Sequence, residues 1–83
     1  MMNEQQVLSE LEEIFRSVFD DPGLTLTRAT CAEDIEDWDS LEQITLLTLI
    51  GKHYDLKFSI DDVSGLQNVG DMVDLVLRRK GAR

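Results

Sequence analysis

The sequence predicts an all-helical domain, with three longer helices, one short helix and a long loop after the first. Three observations lead there. Apolar residues recur at helical spacing in three segments, around residues 3–19, 40–54 and 69–79. Cap and stop residues bracket each segment. Strand-like alternation lasts a single step, at Leu24 and Leu26.

The first helix is expected from Asn3 to Phe19. Val7, Leu8, Leu11, Ile14, Phe15, Val18 and Phe19 fall on one stripe. Asn3 can cap its start, and Glu4 suits the positive end of the helix dipole. Asp20-Asp21-Pro22-Gly23 should stop it, Pro22 by lacking an N–H and Gly23 by turning the chain. From Leu24 to Asp39 no period is sustained. This segment reads as a long loop pinned to the core through Leu24, Leu26, Ile35 and Trp38, and loops of that length are commonly functional.

The second helix is expected from Ser40 to Tyr54 or Asp55, with Asp39 as its N-cap. On a helical wheel it carries two stripes. Leu46, Leu47, Ile50 and Tyr54 form one; Ser40, Leu41, Ile44, Thr45 and Thr48 form the other. An ordinary surface helix needs only the first. The second is either an interaction surface or a face that a small domain wraps as well. Ser59-Ile60-Asp61-Asp62 has the spacing of a capping box and should open a short helix ended by Gly65. Asn68-Val69-Gly70-Asp71 repeats the device and opens the last helix, to about Arg79. Its apolar face is Val69, Met72, Val73, Val76 and Leu77. Gly51 reads as a weak point in the second helix, worth up to ~1 kcal/mol against alanine.

Length and charge narrow the function. The 83 residues make one small domain, and 42% hydrophobic with 30% charged residues is a globular balance. Seventeen acids against 8 bases give a net charge of −9, which argues against nucleic acid and anionic membranes and favours partners with basic surfaces. A single cysteine, Cys31, forms no internal disulfide and fits a reducing cytoplasm. Neither a signal pattern nor an apolar run of ~20 residues is present. A free-standing cytoplasmic protein is expected.

Catalytic chemistry finds little support. The one histidine, His53, lies on the same helix as Ser40 and roughly 20 Å along it, too far for a Ser-His pair. It reads as a plain solvated residue, and Cys31 as an inert thiol. The acids from Glu33 to Asp39 lack the central glycine of a calcium loop, so no metal site is expected. Phosphate-binding glycine motifs are absent.

What remains is Asp39-Ser40-Leu41, followed by Glu42. With the apolar run Ile44, Leu46, Leu47, Ile50 and Tyr54, the segment Phe58-Ser59-Ile60-Asp61-Asp62, and Asn68-Val69-Gly70-Asp71-Met72-Val73, the chain resembles the acyl carrier protein family and its peptidyl-carrier relatives. The resemblance covers nearly the whole length, residues 1–83 as a single acyl-carrier-like domain. It implies a four-helix bundle with a long first loop and a short third helix, monomeric, and a carrier rather than an enzyme. Ser40 would hold 4′-phosphopantetheine, covalently attached from coenzyme A by a phosphopantetheinyl transferase. Asp39 and Leu41 would flank the attachment. Leu41, Glu42, Ile44, Thr45 and Thr48 would meet acyl-activating or acyl-transferring enzymes of lipid or secondary-metabolite synthesis, whether fatty-acid or polyketide. A helix N-terminus also welcomes a phosphate on physical grounds.

There are departures from the family pattern. Thr45, Gly51, Lys52 and His53 stand where acids are usual, and Trp38 replaces a small residue. These point to a specialised rather than a housekeeping member. An aminoacyl or peptidyl carrier of a nonribosomal-type pathway, and an unmodified helical interaction module, are the alternatives.

Overall fold

A computed structural model describes residues 3–81 and is all-helical. Its elements are α1 (Glu4–Val18), α2 (Ser40–Tyr54), α3 (Ile60–Ser64) and α4 (Val69–Gly81), with one 3-10 turn at Ala32–Asp34. No strand occurs among the described residues. α1 packs against both α2 and α4, so the core lies along its apolar stripe. Val7, Leu11 and Phe15 of α1 meet Leu46, Leu47, Ile50 and Tyr54 of α2 and Val69, Met72, Val73 and Val76 of α4. Leu75 is buried as well, a position the predicted apolar face of the last helix omits.

The helix starts follow the expected caps. Asn3 Oδ1 accepts from Gln6 N at 2.8 Å. Ser59 and Asp62 exchange side-chain-to-backbone bonds at 2.9 and 3.2 Å, the reciprocal capping box. Asn68 Oδ1 accepts from Asp71 N at 2.9 Å, while the Asp71 carboxylate reaches back to Gln67 N at 2.9 Å. The Arg79 guanidinium then pairs with Asp62 and ties α3 to the end of α4. The Ser59 backbone N–H, and with it Arg79, holds the Asp62 carboxyl below the usual carboxylate range.

α1 stops at Val18, one residue short of the expected Phe19, while α2 stops at Tyr54 as expected. Asp20 first takes the left-handed region at φ 52°, and Pro22-Gly23 then turn the chain as expected, with Leu24 N on Asp21 O at 3.1 Å. Asp21 N donates to Arg16 O at 3.0 Å, the long bond that closes a Schellman-type end. α2 ends the same way, with Asp55 at φ 57° and Leu56 N on Gly51 O at 2.8 Å. Aspartate tolerates this conformation better than most residues, which makes it a workable stand-in for glycine.

Gly51 is also not simply a weak point. The turn after α2 folds the Leu56 carbonyl onto it, and a Cβ there would lie 2.7 Å from that oxygen. Only glycine allows the approach.

The long loop is pinned more firmly than its lack of periodicity implies. Leu24, Leu26 and Trp38 are buried and Ile35 is partly so. Arg16 Nε donates to Leu24 O at 2.7 Å, and Glu12 Oε2 accepts from Leu26 N at 2.9 Å. Further along, the carbonyls of Thr30 and Arg28 accept from Val69 N and Gly70 N at 2.8 and 2.9 Å. The loop thereby supplies acceptors for first-turn donors of α4 that its own helix cannot use. Arg28 makes a bidentate contact to Asp74 at 3.1 and 2.9 Å and also reaches Glu4 at 3.3 Å. That fork holds the Asp74 carboxyl below its ordinary range.

Candidate functional site

Ser40 occupies the first position of α2 and is exposed. Its placement is the work of Asp39, whose backbone is extended and whose Oδ1 accepts from Glu42 N at 2.9 Å. The Asp39 carbonyl takes Gln43 N, also at 2.9 Å. Both oxygens of the cap thus organise the first turn, and the serine side chain is left outside it.

Trp38 fixes the loop where it enters the helix. It is 7% exposed, meets Phe15 edge-on at 5.1 Å between centroids, and donates its indole N–H to Gln43 Oε1 at 2.7 Å. The sequence marked it as a loop anchor; its polar partner Gln43 was not foreseen. Gln43 lies one turn from Ser40, and that spacing was the available signal.

The two stripes of α2 separate cleanly. Leu46, Leu47, Ile50 and Tyr54 are buried. Leu41 and Ile44 are 68% and 60% exposed, and Thr45 and Thr48 are exposed beside them. Glu42 is half-buried. The domain therefore does not wrap the second stripe. Thr45 and Thr48 turn their hydroxyls onto the Leu41 and Ile44 carbonyls, at 3.2 and 2.9 Å, which lowers the polarity of that face.

Two open clefts border the helix. One of about 360 Å³ lies beside Ser40, lined among others by Trp38, Gln43, Leu66, Gln67 and Met72. The other, about 550 Å³, is mostly apolar and runs by Ile44, Leu47, Gly51, Leu56 and Phe58, with Lys52 and Lys57 also in its lining.

Among the described residues, the remaining polar side chains do not assemble a catalytic set around Ser40. His53 is exposed as expected, and it also makes contacts: its Nε2 is 3.4 Å from Glu10 Oε1 and its ring meets Tyr54 edge-on at 4.6 Å. Tyr54 in turn donates its hydroxyl to Glu10. That bond holds the Glu10 carboxyl below the usual glutamate range. Burial, together with the neighbouring Glu10 carboxylate, pushes the Tyr54 phenol well above its ordinary value. In the acidic loop, Asp34 accepts from Cys31 N at 3.0 Å. Among the described residues, no three His, Cys, Asp or Glu side chains gather where they could hold a metal ion. No helix among them is long and apolar enough to cross a membrane.

No family model matches the sequence, and no curated protein does. Among solved structures, the chain is similar to the holo acyl carrier protein from Geobacter metallireducens, determined in solution by NMR. The two are 42% identical, the match covers 93% of each chain, and the TM-score is 0.81.

Proposed function

The chain belongs to the acyl carrier protein family, and from that membership we propose that it carries an acyl group on a 4′-phosphopantetheine arm attached to Ser40. The observation that supports this most directly is the exposure of Ser40 at the first turn of a 15-residue helix, beside an uncovered apolar stripe. The residues fit the group. The helix N-terminus favours the arm's phosphate through its dipole, and the Asp39 cap keeps the serine oxygen outside the turn. The arm supplies a thiol that holds cargo as a thioester; the protein is a carrier and not an enzyme.

Attachment forms a bond from Ser40 Oγ to the pantetheine-side phosphorus of coenzyme A. The bond from that phosphorus to the oxygen of adenosine 3′,5′-bisphosphate breaks, and the serine proton leaves to a base of the transferase. Asp39 and Leu41 frame this position, and Asp39 acts mainly through the geometry of the first turn. Leu41, Glu42, Ile44, Thr45 and Thr48 form the face for the transferase and for acyl-activating or acyl-transferring enzymes. We read the five-residue α3 as the short third helix of a four-helix bundle, and residues 1–83 as one acyl-carrier-like, monomeric, cytoplasmic domain. Lipid or secondary-metabolite synthesis, fatty-acid or polyketide, is the setting such a carrier serves.

The test is direct. Incubation with a broad-specificity phosphopantetheinyl transferase, Mg²⁺ and coenzyme A is expected to add one arm, about 340 Da by intact mass. Ser40→Ala should abolish the gain. No gain on the wild-type chain, with a control carrier modified in parallel, rejects the proposal in favour of an unmodified helical module.

A further inference from the structure

Trp38 lines the cleft beside Ser40 and is itself buried in the core. The indole lies two residues before the attachment serine, is 7% exposed, and rests edge-on against Phe15. Met72 lines the same cleft as Trp38, and Leu46 belongs to the same buried core. The indole N–H is bonded to Gln43 Oε1 at 2.7 Å. The cleft beside Ser40 has Trp38, Leu66 and Met72 in its lining, together with Gln43, Gln67 and Asn68.

An alkyl chain leaving this cleft for the core would have to dislodge the indole. That breaks the Gln43 bond, leaves a buried donor unpaired and gives up the contact with Phe15. We propose that Trp38 is a specificity-determining residue that closes the helical core to the cargo, so that the acyl group stays outside the core. Long alkyl chains gain most from burial and short, hydroxylated or charged acyl groups gain least, so the carrier is suited to short or polar acyl groups. This inference rests on the carrier reading of Ser40.

The experiment loads acetyl, octanoyl and dodecanoyl pantetheine arms onto the wild-type chain from the corresponding acyl-coenzyme A thioesters, with loading checked by intact mass. Trp38 is the chain's one tryptophan, so its indole N–H NMR signal and its fluorescence report on this position alone. The expected result is an unmoved Trp38 signal and the same Tm for all three loaded forms. Trp38→Ala, and Trp38→Leu should the alanine variant not fold, is expected to admit the dodecanoyl chain. Its Tm should then rise by roughly 4 °C or more over its own acetyl form, with shifted Leu46 and Met72 methyl signals. Trp38→Phe, which keeps a ring but not the N–H donor, should give a smaller dodecanoyl-dependent rise than Trp38→Ala. A dodecanoyl-dependent shift of the wild-type Trp38 signal, or a dodecanoyl-dependent rise in wild-type Tm, overturns the inference. Failure to gain any arm would instead reject the carrier reading, and the mass spectrum tells the two failures apart.

Discussion

Gly51 and Leu56 touch through their backbones: a Cβ on Gly51 would stand 2.7 Å from the Leu56 carbonyl oxygen. Gly51→Ala, normally a gain in helix propensity of ~1 kcal/mol, is therefore expected to lower stability here, by roughly 1–3 kcal/mol as the turn is pushed off the helix. Urea denaturation checks the sign. An alanine variant as stable as the wild type would show that the turn after α2 yields easily.

The cap at Asp39 separates geometry from charge. Asp39→Ala removes the acceptor for Glu42 N and should cost about 1 kcal/mol, whereas Asp39→Asn keeps an acceptor and should cost much less. If Asp39 serves the transferase chiefly by shaping the first turn, the asparagine variant is modified at close to the wild-type rate and the alanine variant is slower. Equal slowing in both would assign the effect to the carboxylate charge.

The Asp20 turn offers a stabilising change. Aspartate sits there at φ 52°, one residue past the C-cap of α1, where its charge also faces the negative end of the helix dipole. Asp20→Gly relieves both and is expected to add about 0.5–1 kcal/mol, seen as a Tm rise of several degrees. A lowered Tm would mean that the aspartate makes a compensating contact.

Stability should depend on pH through the Glu10–Tyr54 bond. The folded state depresses the Glu10 pKa, so its contribution is present above the unfolded value and is lost as pH falls through the carboxylate range. Asp62 and Asp74, depressed by their own partners, lose their contributions in the same acidic window. Tyr54 is raised, so its contribution is present below the ordinary tyrosine pKa and is lost as pH climbs beyond it. Tyr54→Phe should cost about 1 kcal/mol at neutral pH and return the Glu10 titration, followed by NMR, toward its usual range. A Glu10 titration unaffected by the substitution would refute the coupling.

Much of the site is legible in one dimension because it is local. The Ser40 position needs only Asp39 and the following turn, and caps act over three residues. The partition of α2 into two stripes is equally visible, since helical geometry alone produces it. Whether the domain also wraps the second stripe is a different matter: only the packing of α1 and α4 on Leu46, Leu47, Ile50 and Tyr54 leaves Leu41 and Ile44 exposed.

The sequence by itself determined the helices, their caps and the exposed serine at the head of α2, since each depends on residues within a turn or two. Tertiary structure decided whatever joins distant segments. It set the Tyr54 hydroxyl on Glu10, the Arg28 fork on Asp74 and the Trp38 indole against Phe15. These contacts arise from how helices and loops pack in space, and periodicity carries no record of which partner a side chain will meet across that packing.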